Sequence, residues 1–434
     1  MPSVYGRAVA ASFYILLVSA SADAQLAAGE NRTSSHPNDR TLSLKDALDA
    51  TFANHPHLKA FDYQLEAQRA RVELAKQRPA LEMTLDIENF AGSGDLEASD
   101  AAEITLGVSS LFERGNKRTA RVIEAQRSIE LLTVEQQVRA LDVLAETSRR
   151  FIAVAGAQRA VELAEERAQQ SARTLELVIP RVEAARSPPT ERFSADMDLR
   201  AAQLALENAR SDLDAAQFAL ASQWNASHER PRVDALPEAI AEPTSFELLA
   251  QQVEQMPDLQ RYATEERVRE AQLRLARTQG AADWRWSAGV RRLEELNEQA
   301  LVVGFSVPLG ALTRSAPVIR EAQSTLAQVS YHRDERRLEL LSALYSHWHA
   351  LRQAERVHRS IFAEQLPLAR EALALTERGY RIGRFPYRDL SAAQQRVLTL
   401  EEQALDAAMR YHSTRIEVER LTGAQLSIAQ ERAQ

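Results

Sequence analysis

Two stretches of this chain, 81–108 and 284–307, alternate apolar and polar side chains with a period of two, and each runs directly into a far longer helical stretch. In the first, Leu81, Met83, Leu85 and Ile87 alternate with Glu82, Thr84, Asp86 and Glu88; Ile104, Leu106 and Val108 then alternate with Glu103, Thr105 and Ser109. In the second, Trp284, Trp286, Ala288 and Val290 alternate with Arg285, Ser287, Gly289 and Arg291. Leu301, Val303, Phe305 and Val307 then alternate with Val302, Gly304 and Ser306. Period two places one set on each face of a strand. A Gly/Ser/Asp-rich stretch, 91–100, separates the first two arms and is too polar for a core. The pattern predicts β-hairpins over 81–111 and 283–309. Four strands committed on both faces leave open edges and cannot close a barrel alone.

The halves match beyond the hairpins. "HPHL" (55–58) falls on "MPDL" (256–259), an offset of 201, and "RVELAKQ" (71–77) on "QLRLART" at the same offset. Past the hairpins the offset becomes 197: "GVSSLFERGNKRTARVIEAQ" falls on "GFSVPLGALTRSAPVIREAQ", Pro189 on Pro386 and Ser194 on Ser391. A constant offset over such a span indicates an internal duplication. The expected repeats are 42–224 and 246–426, joined by a Pro-rich linker at 225–245 and followed by a tail, 427–434.

Helical signals fill the rest. Ser43 and Asp46 form a capping pattern that opens a helix to about Arg78, interrupted at Pro56. A helix from Lys117 to Ala184 would be roughly 100 Å long. Its seam of Leu131, Val134, Val138, Leu141, Ala145, Ser148, Ile152 and Ala155 steps by three and four in turn. The helix 190–224 repeats it with Leu199, Ala202, Leu206, Ala209, Leu213, Ala216 and Leu220. Two half-length helices, 190–224 and 246–279, stack to match one long one; 387–421 and 43–78 do the same beside 313–379. Tight turns at 185–189 and 381–386 then lie at the end away from the hairpins.

Composition closes several doors. Cysteine is absent, so no disulfide or thiolate metal site exists, and 14 glycines with 6% aromatics suit long helices. The net charge of −8 is spread along the chain and holds no basic block for nucleic acid. Arg7, the apolar run Ala8–Val18 and Ala22-Asp23-Ala24 read as a signal peptide over 1–24, with a polar arm at 25–41. No later apolar run approaches a membrane-spanning helix. An exported chain with unpaired two-faced strands therefore predicts an α+β membrane protein. Several copies share one transmembrane β-barrel, apolar side to lipid, continued by a long helical coiled coil. Leu85, Ile87, Trp284, Trp286, Val303 and Phe305 are the expected lipid and girdle residues, with Phe90. Glu82, Asp86, Glu88, Glu103, Arg285 and Arg291 are the expected pore residues. They either form rings that favour cations or merely solvate the lumen, the arginines cancelling part of the acid.

"LSLKDALDATFANHPHLKAFDYQLEAQRARVELAKQ" (42–77) and "GYRIGRFPYRDLSAAQQRVLTLEEQALDA" (379–407) are similar to the TolC-type outer-membrane efflux family, and the resemblance covers Leu42 to about Leu426. "DIENFAGSGD" (86–95) and "SSLFERGNKR" (109–118) resemble its heavy-metal, CzcC-like branch; that branch's proline near Leu111 and paired glycine at Asn116 are missing here. The resemblance implies a homotrimer with a 12-stranded barrel and a periplasmic α-helical barrel. It implies passive export, docked to a periplasmic adaptor and an inner-membrane resistance–nodulation–division pump. Arg186, Pro189, Gly379, Gly383, Arg384, Pro386 and Asp389 would form the periplasmic tip that meets the adaptor.

No catalytic, cofactor or metal residues are assigned. His55/His57 and His347/His349 are two apart, unlike the four-residue spacing of a helical metal site, and "GFSVP" lacks the second glycine of a nucleophile elbow. The competing functions are a duct for organic compounds or secreted protein, a periplasmic adaptor and a coiled-coil structural protein. The adaptor would need β-rich flanking segments, and the structural protein would not need the strands.

Overall fold

Ser43 accepts a hydrogen bond from Asp46 N at 3.1 Å and opens α1 (Leu44–Asn54). Pro56, lacking an N–H, is accommodated at the first position of α2 (Pro56–Lys76), so the expected interruption falls between two helices. β1 (Glu82–Glu88) and β2 (Glu103–Phe112) follow, then α3 (Lys117–Glu183), one uninterrupted helix of 67 residues. α4 (Pro189–Ala221) returns beside it. The second half runs α5 (Phe246–Val253), α6 (Pro257–Thr278), β3 (Trp284–Leu293), β4 (Glu298–Ser306), α7 (Ala311–Arg359), α8 (Leu366–Arg381) and α9 (Tyr387–Thr422). The structure, a computed structural model, describes residues 41–89, 92–93, 101–236 and 240–423. The expected signal peptide, Phe90, most of the first hairpin loop, the arm up to residue 40 and the tail lie outside these.

The four strands form one antiparallel sheet in the order β1-β2-β3-β4. Its register puts Leu85 opposite Leu106, Leu106 opposite Val290 and Val290 opposite Leu301, so one face is apolar from edge to edge. β2 shows the consequence: Thr105 and Ser109 are 8% and 6% exposed, whereas Leu106 and Val108 between them are 54% and 44% exposed. Small residues on the polar face let the sheet curl toward it. At Gly289 a side chain would collide with the backbone of Leu106 and Gly107, so only glycine allows the strands this close.

The helical core repeats the duplication. Phe151 and Val154 of α3 pack with Leu44 and Ala47 of α1, Leu220 and Val233. Leu340, Leu344 and Leu351 of α7 pack with Leu249, Val253, Leu259, Tyr411 and Val418. Val143, Thr147 and Val154 thus match Leu340, Leu344 and Leu351, all 197 apart and all buried. Of the expected α3 seam, Ala145, Ser148, Ile152 and Ala155 are buried. The described residues of 225–245 are irregular but held in place. Val233 forms a parallel bridge with Leu42 and is clamped by the Gln158 amide at 2.9 and 3.0 Å. Trp348 and Tyr411 hydrogen-bond to the carbonyls of Thr244 and Ala241, both at 2.8 Å.

The offset does not stay at 197. Arg186 N bonds Arg181 O and Arg384 N bonds Gly379 O, each at 2.8 Å. Ala185 and Gly383 take left-handed backbone, and Pro188 and Pro386 stand at the N-caps of α4 and α9. All three correspondences are 198 apart, so Pro386 takes the role of Pro188 rather than Pro189. Between the matching cores and the matching tips lies a wide π turn, Ser360–Gln365, joining α7 to α8. A π turn houses one extra residue in a helix, and this one absorbs the difference.

Candidate functional site

The polar face of the sheet carries every expected pore residue. Glu82, Asp86, Glu88 and Glu103 stand on it with Arg285 and Arg291. Across the small residues of β2, Arg285 reaches Glu82 at 3.0 Å. Arg291 reaches Glu103 at 2.6 Å, Glu88 at 3.0 Å and the Thr105 hydroxyl at 2.9 Å. Three of the four carboxylates are therefore tied to arginines, and Asp86 stands outside these pairs. An alternation pattern shows which residues share a face but not which of them meet, so this pairing was not visible in the sequence.

On the other face stand Leu85, Ile87, Trp284, Trp286, Val303 and Phe305, as expected. The column from Phe112 to Ile104 runs eight residues, about 27 Å along a strand, or about 21 Å for a strand tilted by about 40°. That approaches the apolar height of a transmembrane barrel. Trp284 lies at its helix-proximal end, with ring centroids 6.2 Å from Phe112 and 5.6 Å from Phe305. The Arg114 guanidinium stacks on Trp284 at 4.4 Å. Below this belt, Lys117 pairs with Asp283 at 2.7 Å, and Arg121 pairs with Glu113.

At the far end the two turns come together. Arg181 donates to the Tyr380 carbonyl at 2.7 Å, and its guanidinium sits 4.6 Å over the Tyr380 ring. Tyr380 and Tyr387 are buried with Val178, Ala195 and Leu390. Tyr387 donates to Asp198 at 2.7 Å, and Ser391 also donates to Asp198, at 3.2 Å. Glu191 accepts from the Tyr380 hydroxyl and from Tyr387 N, each at 3.4 Å. Burial, reinforced by Asp198, raises the Tyr387 phenol above its ordinary value; burial, reinforced by Glu191, does the same at Tyr380.

Both turns fall where the prolines and glycines of the sequence place them. Gly379 is helical and buried, and the Phe385 ring fills the space a side chain there would need. Gly383, at φ +79°, is the residue that turns the chain. Pro189 begins α4 behind Pro188. Arg186 and Arg384 are exposed, while Asp389 pairs with its neighbour Arg388 at 3.3 Å. Arg181, Asp198, Tyr380 and Tyr387 were missed, although the tyrosines of "GYRIGRFPY" were a signal that this turn has its own core. Just above it, a cleft of about 460 Å³ opens between α3, α8 and α9, lined by Glu166, Arg173, Glu377, Arg381 and Gln394 among others.

Among the described residues no group of three His, Asp or Glu side chains converges to hold a metal ion, and no helix is long and apolar enough to cross a membrane.

No family model matches the chain. It is 25% identical over 385 residues to the cobalt-zinc-cadmium resistance protein CzcC of Cupriavidus metallidurans, covering 88% of this chain and 90% of that one. The outer-membrane channel OprN superposes with a TM-score of 0.73 at 16% identity, over 92% of this chain and 96% of the other. CusC, which forms a transmembrane channel, superposes with a TM-score of 0.72 at 14% identity, again over 92% and 96%. The fold is that of a TolC-type outer-membrane channel protomer.

Proposed function

We propose that this chain, TolC-type by fold and related in sequence to CzcC, is the exit duct of a tripartite efflux system in the outer membrane. One observation carries the reading. A four-stranded sheet, apolar on one side and charged on the other, ends in two open edges and stands on helices roughly 100 Å long. Edges are removed by closure, and three copies give the 12 strands of a barrel with lipid outside and water inside. The duct conducts passively. Its drive comes from an inner-membrane pump of the resistance–nodulation–division type, joined through a periplasmic adaptor.

Heavy-metal cations are the substrate class that the relation to CzcC favours. Cations would be cargo here, passing a wall that is net acidic: five strand carboxylates, Glu298 of β4 among them, stand on the face of two arginines in each protomer. The pairing refines how selectivity would arise. Arg291 holds Glu88 and Glu103, so its loss would free two carboxylates per protomer, whereas Asp86 already faces water. Arg186, Arg384 and Asp389 would meet the adaptor at the tip, with the cleft above them as a second surface.

Two measurements test the reading. Outer-membrane fractions should contain a heat-modifiable, trimer-sized band, and a deletion strain should become sensitive to divalent metals. In planar bilayers, Arg291→Gln should move the reversal potential under a salt gradient toward cations, and Asp86→Asn should move it away. Sensitivity to organic compounds alone would favour a drug duct. A monomeric periplasmic protein would end the channel reading.

A further inference from the structure

The apolar column on the outer face of the sheet is bounded by an arginine at each end, and the two are treated differently. Arg292 shares the row of Ile104 at the loop end. Its guanidinium is satisfied within its own hairpin, reaching Glu294 at 2.7 and 3.2 Å and Asn297 at 3.4 Å. Arg114 lies just past Phe112 at the helix end, exposed, its guanidinium carbon 4.4 Å over the Trp284 ring. The carboxylates beside it are engaged by other donors. Asp283 accepts from Lys117 Nζ and from the backbone N–H of Arg114, and Glu113 takes Arg121 through both oxygens. Among the described residues Arg114 has an aromatic platform and no carboxylate partner.

A guanidinium stacked on a tryptophan keeps its donor edge free, and that edge matches two oxygens of a phosphate. The height is equally specific. Tryptophans mark the level where acyl chains give way to headgroups, and Arg114 lies immediately on the polar side of Trp284. We propose that Arg114, held over Trp284, binds the headgroup phosphate of an anionic glycerophospholipid in the periplasmic leaflet, one lipid per protomer. This rests on the outer-membrane reading above. The site seats the barrel at a fixed depth and puts a lipid at the base of the sheet, where strand passes into helix. Arg292 has no such role, because its own hairpin has already neutralised it.

The test uses the full-length protein purified in detergent, with native mass spectrometry counting retained phosphatidylglycerol. Arg114→Gln should weaken retention by roughly five-fold, the order expected for one basic group at an anionic surface. Arg114→Lys should lose less, and Arg292→Gln should match the wild type. Equal retention by wild type and Arg114→Gln overturns the proposal. So does full displacement of the lipid by inorganic phosphate, which would show a free-anion site instead. Planar-bilayer recordings of the same preparations separate the two readings. If wild type and Arg114→Gln both form channels but retain lipid alike, only the lipid site fails; if the wild type forms none, the channel reading fails with it.

Discussion

The two halves of the chain share a plan and differ at every level where that plan does work. In the first half α3 runs straight for 67 residues; in the second, α7 and α8 cover the same ground with a wide turn at Ser360–Gln365. The first tip turn places Ala185 in left-handed backbone, where the second places Gly383. The first hairpin supplies the carboxylates that pair across the polar face, and the second supplies the arginines that hold them and the tryptophans of the other face. The halves are therefore complementary parts. What they hold in common is the packing, at the equator and at the tip, and helix geometry is adjusted so that both are met.

The largest expected effect comes from adding a residue where no wide turn absorbs it. Inserting one alanine after Ala374 should rotate the rest of α8 by about 100° against α9, whereas deleting Ala363 should only restore the plain helix of the first half. With the insertion, Tyr380 would leave the cluster of Val178, Tyr387 and Leu390, with a loss comparable to truncating a buried aromatic, about 3–5 kcal/mol. Thermal melting and proteolysis at the tip report it; an unchanged pattern would mean the extra residue is absorbed elsewhere.

The hairpins come next. Leu85→Arg in the first half and Val303→Arg in the second should each destabilise the inserted barrel by about 2–4 kcal/mol, because both face the same side. Thr84→Arg should be tolerated on the open polar face. Ser287→Arg should not, since its position lies against Gly304 on the crowded concave side. Unfolding titrations in lipid vesicles measure all four, and equal damage at Thr84 and Leu85 would reverse the assignment of faces.

Smaller effects separate the tip turns. Gly383→Val should cost about 1–2 kcal/mol or more, whereas Ala185→Gly should gain up to about 1 kcal/mol by relieving a strained position. If both changes destabilise, the turns are not equivalent. The smallest contrast lies in the returning helices, where Glu419 of α9 occupies the place held by Ala221 of α4. Burial raises the Glu419 pKa, and Arg415 only partly opposes this. Its native state therefore favours the neutral form, and that contribution is present at low pH and lost as pH rises through the raised value. Glu419→Gln should raise the unfolding midpoint near pH 7 and leave it unchanged near pH 4, around the ordinary carboxyl value. A gap of equal size at both would point to packing rather than titration.

Much of this was legible in the residues. The ends of α3, the Ser43 cap, the break at Pro56 and the faces of all four strands followed from capping, proline chemistry and period. The π turn did not, because one inserted residue changes no local propensity; it appears only when equatorial and tip packing are compared. Nor did the bridge from Arg291 to Glu88 and Glu103, which needs the register of three strands. Tyr387 and Asp198 are 189 residues apart, and no local pattern links them.

The π turn also bears on how such a gene can change. One added codon in a long coiled-coil helix normally turns every later side chain by about 100° and ruins the seam below it. Here the disturbance is confined to the six residues Ser360–Gln365, and the tip beyond them keeps the geometry of its duplicate. After duplication, the two copies could diverge in length as well as in composition without forfeiting the shared end.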